Sequence, residues 1–455
     1  MPVTEAVRRP WAAGRFRCVG HIGSGGPGGC GQVRRSVGWL LGAGLIENSW
    51  PPAQPGVMTS GCGRSGYLDL VRAVAIVRVV VYHATGAAWL TVVFPSMGVM
   101  FGLGGSLMAA SLSRGRAVRE VVGSRLRRLL VPLWVLGAVA VALMGWRARG
   151  DGDWEVTWRC LYWVLPVVDP PGSDWGAPLW EVLWYLRAYL WFVLLSPLLL
   201  PLFRRLPLLA LTVPFAVLVM LETERWYLPD PAGTIVGEFC TYAGCWFLGF
   251  AHHDGLLDRL SGRVRIVLAG VLAAAGAAWF LTHTTEYGLD LGYIPLGNAL
   301  WSAGFVVLLL GFQPSADFFT RRPRLVEALR RINSRALSIY LWHNPSIAAA
   351  AVLIAVSGLD DFPPGGHTVL LLALVTVLTS GAVTTLGWAE TMASRRRGAS
   401  GSGGGRSGAG GGARGAWRAC RPTGFRAIRC LRHRLGPCMT EARMPLSALL
   451  ALLKV

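Results

Sequence analysis

Lysine is all but missing from this chain. Lys454 stands alone against 43 arginines in 455 residues. So one-sided a bias reads as a GC-rich coding sequence, and arginine number by itself is no argument for phosphate binding. Charge of either sign is scarce: 15% of residues are charged, where a soluble globular domain carries about a quarter. With 53% hydrophobic residues and a mean hydropathy of +0.46, an ordinary soluble fold is excluded. The nine cysteines are odd in number, and no pair has zinc or redox spacing. Free or buried thiols are the reading, and no metal site is expected. The two halves show no internal repeat, which weighs against a transporter built from inverted repeats. A G-x-G-x-x-G match at Gly23–Gly28 has no strand before it and no helix after it, so it is not a nucleotide site.

What is present is apolar sequence in long runs. Ten segments, roughly 67–89, 92–112, 127–146, 179–202, 207–221, 234–251, 265–282, 291–312, 337–356 and 368–390, lie near the ~20 residues that a spanning helix needs. The fifth is short and carries Pro207 and Pro214. The expected fold is an all-α polytopic membrane protein, a bundle of about ten transmembrane helices with disordered N- and C-terminal tails. The net charge of +20 sits in those tails: residues 67–394 hold 24 Arg against 21 acids. Residues 1–66 read as a low-complexity basic tail, 67–392 as the transmembrane domain and 393–455 as a Gly/Arg-rich cytoplasmic tail. The stretch VGWLLGAGLI (37–46) resembles a weak signal-peptide core, and Met58 is an equally good start. The C-terminal tail holds too few aromatics for a nucleic-acid partner. Arginines concentrate in alternate loops, at Arg114–Arg125, Arg204 and Arg205, Arg259 and Arg263, and Arg321–Arg335. By the positive-inside rule these loops and both termini face the cytoplasm of a cell-membrane protein. The opposite loops lean acidic, with Asp151, Asp153, Glu155, Asp169, Asp174, Glu222, Glu224, Asp230, Asp360 and Asp361.

The first segment contains RAVAIVRVVVYH, Arg72 to His83. Ionisable groups inside a membrane are costly and usually have a task. Eleven residues put Arg72 and His83 within about 20° around a helix and about 16 Å apart along it. Arg72 sits near the cytoplasmic end, where a guanidinium suits a phosphate or a positive-inside flank. His83 lies too deep to snorkel and faces the bundle interior or a wet cavity. Arg78 falls on another face, with a carboxylate on a neighbouring helix as its expected partner.

LDLVRAVAIVRVVVYHA (68–84) resembles the first helix of the membrane acyltransferase family 3, whose mark there is an arginine, ten residues and a histidine. MFGLGGSLMAASL (100–112) is similar to the family's small-residue stretch, with Gly104 at its usual serine and the hydroxyl moved to Ser106. A catalytic serine is therefore not expected, and close helix approach is the preferred reading. SRLRRLLVPLW carries the family's Arg-x-x-Arg as Arg125 and Arg128. NSRALSIYLWHNP (333–345) carries its Ser, Tyr and Leu-Trp-His as Ser338, Tyr340 and His343. The resemblance runs from Tyr67 to Trp388. It implies a ten-helix enzyme that moves an acyl group, often acetyl, from acyl-CoA to a hydroxyl of a carbohydrate, cell-envelope or metabolite acceptor. Acyl-CoA is then a co-substrate, with no permanently bound cofactor.

Acyl transfer needs a base, oxyanion donors and positive charge for the donor's phosphates. His83 is the candidate base, with direct transfer preferred over an acyl-enzyme. Arg72, Arg125 and Arg128 are the candidates for the coenzyme A end. Arg187, about 12 Å into its helix, either binds the acceptor or pairs with Glu181 or Glu238. Tyr340 and His343 are further acceptor-site candidates, with an interhelical hydrogen bond the alternative for His343. The tryptophans read first as an interfacial belt and second as a sugar platform. The competing function is a transporter or flippase without acyl-transfer chemistry.

Overall fold

The computed structural model describes residues 61–151, 154–285, 288–312, 317–359 and 363–394. Residues 1–60 and 395–455 of the two tails, with the stretch 37–46 and Met58, and the loop acids Asp153, Asp360 and Asp361 lie outside the described residues, while 61–66 and 393–394 are helical. All ten apolar segments are helical. The long helices are α1 (Gly61–Thr85), α2 (Ser96–Leu112), α3 (Val118–Asp151), α4 (Leu183–Arg205), α5 (Pro207–Glu222), α6 (Ala232–His253), α7 (Gly262–Thr282) and α8 (Pro295–Gly311). They are followed by α9 (Pro323–Ser334), α10 (Ala336–Val356), α11 (Pro364–Leu386) and the short α12 (Trp388–Ser394). Among the described residues, six helical stretches are long and apolar enough to cross a membrane, and α5 and α8 are shorter apolar helices.

Prolines set many of the helix starts. Pro207, Pro295, Pro323 and Pro364 occupy the first turns of α5, α8, α9 and α11, where a missing N–H costs nothing. Pro95 divides the second apolar segment into Trp89–Val93 and α2. It forces Phe94 to an extended φ, ψ of −146°, 97°. The fourth segment likewise opens with a separate turn, Ala177–Trp180, and the eighth with a 3-10 turn, Leu291–Tyr293. Helix α3 begins at Val118, nine residues before the expected span, so Arg125 and Arg128 are helical.

Two features organise the bundle. The first is the crossing of α2 with α6, where backbones nearly touch. A Cβ on Gly105 would lie 2.2 Å from the Trp246 carbonyl oxygen, and one on Gly249 would lie 2.2 Å from the Gly102 oxygen. Small residues allow this approach, as in other membrane helix pairs. The second is the aromatic core built on it. Phe101 of α2 stacks on Tyr242 of α6 at 4.6 Å and meets Tyr185 and Phe192 of α4 at 5.1 and 5.2 Å. Trp246 is fully buried, and its indole N–H donates to Ser196 Oγ at 3.1 Å. At the periphery, α7 and α11 turn outward valines and isoleucines such as Val264, Ile266, Val369 and Val377, as helices with lipid neighbours do.

At the arginine-rich end, α9 packs Leu329 against Ala73 of α1 and Phe319. Its outer face carries Arg330 and Arg331, which both hold Glu327 and keep its carboxyl below the ordinary range. Arg204 donates through two nitrogens to Asp254 at 2.8 Å and to Ser113 at 2.9 Å, joining the ends of α4, α6 and α2.

Gly249→Val forces the α2–α6 crossing apart. Overpacking of this kind costs ~1–3 kcal/mol or more, so the variant's melting temperature in detergent is expected to fall clearly. Gly270→Ala, with nothing within 4 Å of the new Cβ, serves as the control and stays near wild type.

Candidate active site

The helical repeat of α1 lays one stripe of side chains along two cavities. Arg72, Ala75, Ile76 and Val79 face the first, of about 500 Å³. Val79 and His83, flanked by Arg78 and Tyr82, face the second, of about 910 Å³. The shared face expected for Arg72 and His83 is this stripe, and the two residues stand at its opposite ends.

The smaller cavity lies at the arginine-rich end of the bundle. Arg72 of α1 and Arg125 and Arg128 of α3 all line it, together with Arg335 just before α10. Arg125 is held in place, donating to the Leu107 carbonyl and to Ser111 Oγ, both at 3.0 Å. The start of α10 and Glu390 of α12 also line it. Glu390 accepts from Ser338 Oγ at 2.7 Å and from the Ser338 N–H at 3.3 Å. A carboxylate at a helix N-terminus satisfies orphan donors and meets the positive end of the dipole. Ser338, a family-motif residue, is therefore part of a helix anchor. Deeper in, the walls are apolar: Met100, Leu103, Leu107 and Leu129. Gly104 lines this wall, and its Cβ would lie 2.8 Å from Trp246. A serine there has no room beside the indole, which accounts for the departure from the family pattern.

The larger cavity opens at the other end. His83 is exposed on its wall, and its ring nitrogens have no hydrogen-bond partner among the described residues. Arg78 lines the same cavity, donates through Nε to the Leu90 carbonyl at 3.1 Å, and lies over the Tyr82 ring at 4.9 Å. Tyr82 donates to Asp290 at 2.5 Å. Arg78 makes no ion pair among the described residues, so the expected carboxylate partner is reached only through Tyr82. Trp184, Trp226 and Asn298 supply aromatic and amide surface, and Glu181, Glu222 and Glu238 supply acid. Glu222 is engaged, accepting from the Trp279 indole at 2.8 Å and from the Leu296 N–H at 2.5 Å.

Three residues line both cavities: Val79 of α1, Met97 of α2 and Tyr340 of α10. Tyr340 is buried and donates to the Val182 carbonyl at 2.7 Å. That carbonyl lies at the break between Ala177–Trp180 and α4, where the backbone is not committed to a helix. His343 lines neither cavity. It is fully buried, hydrogen-bonds through Nδ1 to the Tyr340 carbonyl at 2.5 Å, and meets the His83 ring with centroids 5.0 Å apart. The interhelical hydrogen bond expected for it is thus a bond within its own helix.

Arg187 is 2% exposed and lines neither cavity. It pairs with Glu238 at 2.5 Å and with Asp169. Glu238 was among the expected partners and Glu181 is not one, while Asp169 reaches in from the long loop before α4. Arg187 therefore braces Glu238, which faces the cavity. The same loop is pinned by tryptophans: the indoles of Trp134, Trp163, Trp180 and Trp191 donate to the carbonyls of Val164, Pro171, Ser173 and Val167. Trp184 and Trp226 are the tryptophans left facing the cavity. Ser106 hydrogen-bonds His252 Nδ1 at 2.8 Å, but the pair is buried and lines neither cavity. Sequence reasoning missed Arg78 as a wall residue, because helix angle alone ignores how wide a cavity is. It also missed Asp290, just before the eighth apolar segment, and Asn298, whose signal was a polar group inside that run.

A family model described as an acyltransferase domain, acyltransferase family 3, matches residues 65–386. No curated protein and no solved structure matches the chain.

The Arg187 cluster is testable by itself. Removing one partner of a buried ion pair costs ~3–5 kcal/mol. Arg187→Met, which strands two carboxylates, is expected to lower thermal stability more than Glu238→Gln. Asp169→Asn, altering a side chain that is 45% exposed, should have the smallest effect of the three.

Proposed function

We propose that this chain, which belongs to the acyltransferase family 3, carries an acyl group from one end of its bundle to the other. The donor is acyl-CoA, acetyl-CoA in the first instance. The acceptor is a hydroxyl of a carbohydrate, a cell-envelope polymer or a metabolite. The observation that carries this reading is the meeting of two cavities at Val79, Met97 and Tyr340, one lined by Arg72, Arg125, Arg128 and Arg335 and the other by His83.

In this reading the arginine end binds the donor. Guanidiniums bind phosphate oxygens in bidentate, charge-assisted hydrogen bonds, so Arg72, Arg125 and Arg128 hold the coenzyme's phosphates at the mouth. The pantetheine arm runs along the apolar wall, and the thioester reaches the neck. The acceptor enters from the other end and stacks on Trp226 or Trp184. His83 takes the proton from its hydroxyl as the oxygen attacks the thioester carbonyl. The tetrahedral intermediate collapses, the carbon–sulfur bond breaks, and the proton passes from His83 to the departing sulfur. An ester and free coenzyme A result. Tyr340 holds the neck closed against wider exchange through its bond to Val182, and its ring is an acceptor-site wall. The role of Arg187 is to keep Glu238 in position for the acceptor rather than to touch it. By the positive-inside rule the arginine end and both termini face the cytoplasm of a cell membrane, so the acceptor is modified on the far side.

The test uses purified full-length protein with labelled acetyl-CoA. Wild type should bind it and release coenzyme A when given acceptor extracts of envelope and small metabolites. His83→Ala should keep donor binding and lose transfer. Arg125→Ala and Arg128→Ala should each weaken donor binding by about tenfold or more, the worth of a hydrogen bond to a charged group. Met97→Trp, which fills the neck, should bind donor and transfer nothing. Absence of donor binding by wild type would leave a transporter or flippase, for which two cavities meeting at a neck serve as alternate access.

A further inference from the structure

We propose that His343 is the positioning residue of His83: a neutral imidazole that accepts a hydrogen bond from the base and holds it in the reactive tautomer. The inference rests on the reading of His83 as the base, and it concerns a group that the transfer step above does not use.

His343 Nδ1 lies 2.5 Å from a backbone carbonyl, that of Tyr340. A carbonyl only accepts, so Nδ1 carries the hydrogen. In a neutral imidazole the other nitrogen, Nε2, is then a lone pair. This Nε2 is buried and has no partner. A buried polar atom left unmatched costs about 1–3 kcal/mol, and the side chain is 0% exposed, so no solvent relieves it. The aromatic neighbours of His343 are Tyr340, whose hydroxyl is already given to Val182, and His83. Of these two, His83 alone has a hydrogen to offer.

His83 has the complementary need. A histidine base works through one nitrogen, and its other nitrogen must keep its hydrogen on a fixed acceptor. Neither nitrogen of His83 has such an acceptor among the described residues. Its ring lies against His343 with centroids 5.0 Å apart and planes at 59°. Imidazoles at that separation reach N–H···N contact by a turn about χ2, which is a soft torsion. Catalytic hydrogen bonds are often long in an empty site and tighten on binding. In the tightened arrangement, His83 donates to His343 Nε2 throughout. Its free nitrogen takes the acceptor's proton and later gives it to sulfur. His343 gains no proton; it stabilises the imidazolium through the hydrogen bond. Pre-organisation is built into the chain, because His343 and the carbonyl that orients it stand three residues apart on α10.

The experiment compares His343→Gln and His343→Phe with wild type, each alone and combined with His83→Ala. Gln places an amide oxygen where Nε2 was, and Phe fills the space without an acceptor. Loss of an orienting partner typically costs ~10–100-fold. His343→Phe is expected to lose that much in kcat, with KM for acetyl-CoA unchanged, and His343→Gln to recover a substantial part. In the His83→Ala background, neither change should lower the residual rate further, since residues acting as a unit are not additive. Melting temperature and acetyl-CoA binding at the arginine end show that each variant is folded. The proposal is overturned if folded His343→Phe keeps wild-type kcat, or if Gln and Phe lose equally. It is also overturned if the loss is the same size with His83 absent. Full activity of His83→Ala would instead remove the base, and with it the reading on which this proposal stands.

Discussion

The close contact of α2 with α6 is the constraint on which the rest of the bundle depends. Gly102 and Gly105 on one helix and Gly249 on the other bring backbone against backbone. No side chain of another size fits, so the register of the pair is fixed to within a residue. That register places Phe101 on Tyr242 and Trp246 beside Gly104. It thereby sets the floor of the smaller cavity and one side of the neck. In lipid there is little hydrophobic gain from helix association, so shape carries the energy. A bundle organised this way holds open volume beside tightly packed volume: the crossing supplies the stiffness, and the cavities lie around it.

Polar groups are handled by sharing rather than by exclusion. Glu390 serves the N-terminus of α10, and Glu222 serves that of α8. Each carboxylate is lent by a different helix, so capping a helix also ties two helices together. Arg187 does the same for a loop, holding Asp169 and Glu238 at once. Both cavities are therefore walled by residues that also hold the frame. Substitutions there act on shape and chemistry together, which is why assays of this protein need a folding control beside an activity.

Much of the architecture was legible in the sequence, and particular residues show why. Segment lengths near 20 residues are dictated by the bilayer, so the helical segments could be read off directly. The fifth segment was expected from Pro207, where its helix starts, whereas the eighth was expected from residue 291 and its long helix starts only at Pro295. The Arg72–His83 face followed from helix arithmetic; in the structure Arg72 lines the smaller cavity, and His83 lines the larger one together with Arg78. The internal breaks were not legible: Pro95 could have been read as a kink, and the break at Val182 has no proline at all. Partners separated by many residues were also hidden. Asp169 reaching Arg187, and Glu390 reaching Ser338, depend on loop paths that periodicity does not encode. His343 seemed a candidate to touch the acceptor because its depth was visible and its direction was not.

The neck has an electrical consequence. Solvent-accessible walls on both sides, His83 at one end and Arg128 at the other, leave Val79, Met97 and Tyr340 as the insulating layer between them. A transmembrane voltage drops where the medium is least conducting, so the potential that elsewhere spans ~30 Å of hydrocarbon is concentrated over one layer of side chains. A charge crossing there would feel nearly the whole potential, ~2.3 kcal/mol per 100 mV. In the proposed reading the acyl group is neutral and would cross at no electrical cost, while the coenzyme's phosphates would stay on the arginine side. An acyl transfer of the proposed kind would leave the membrane potential intact.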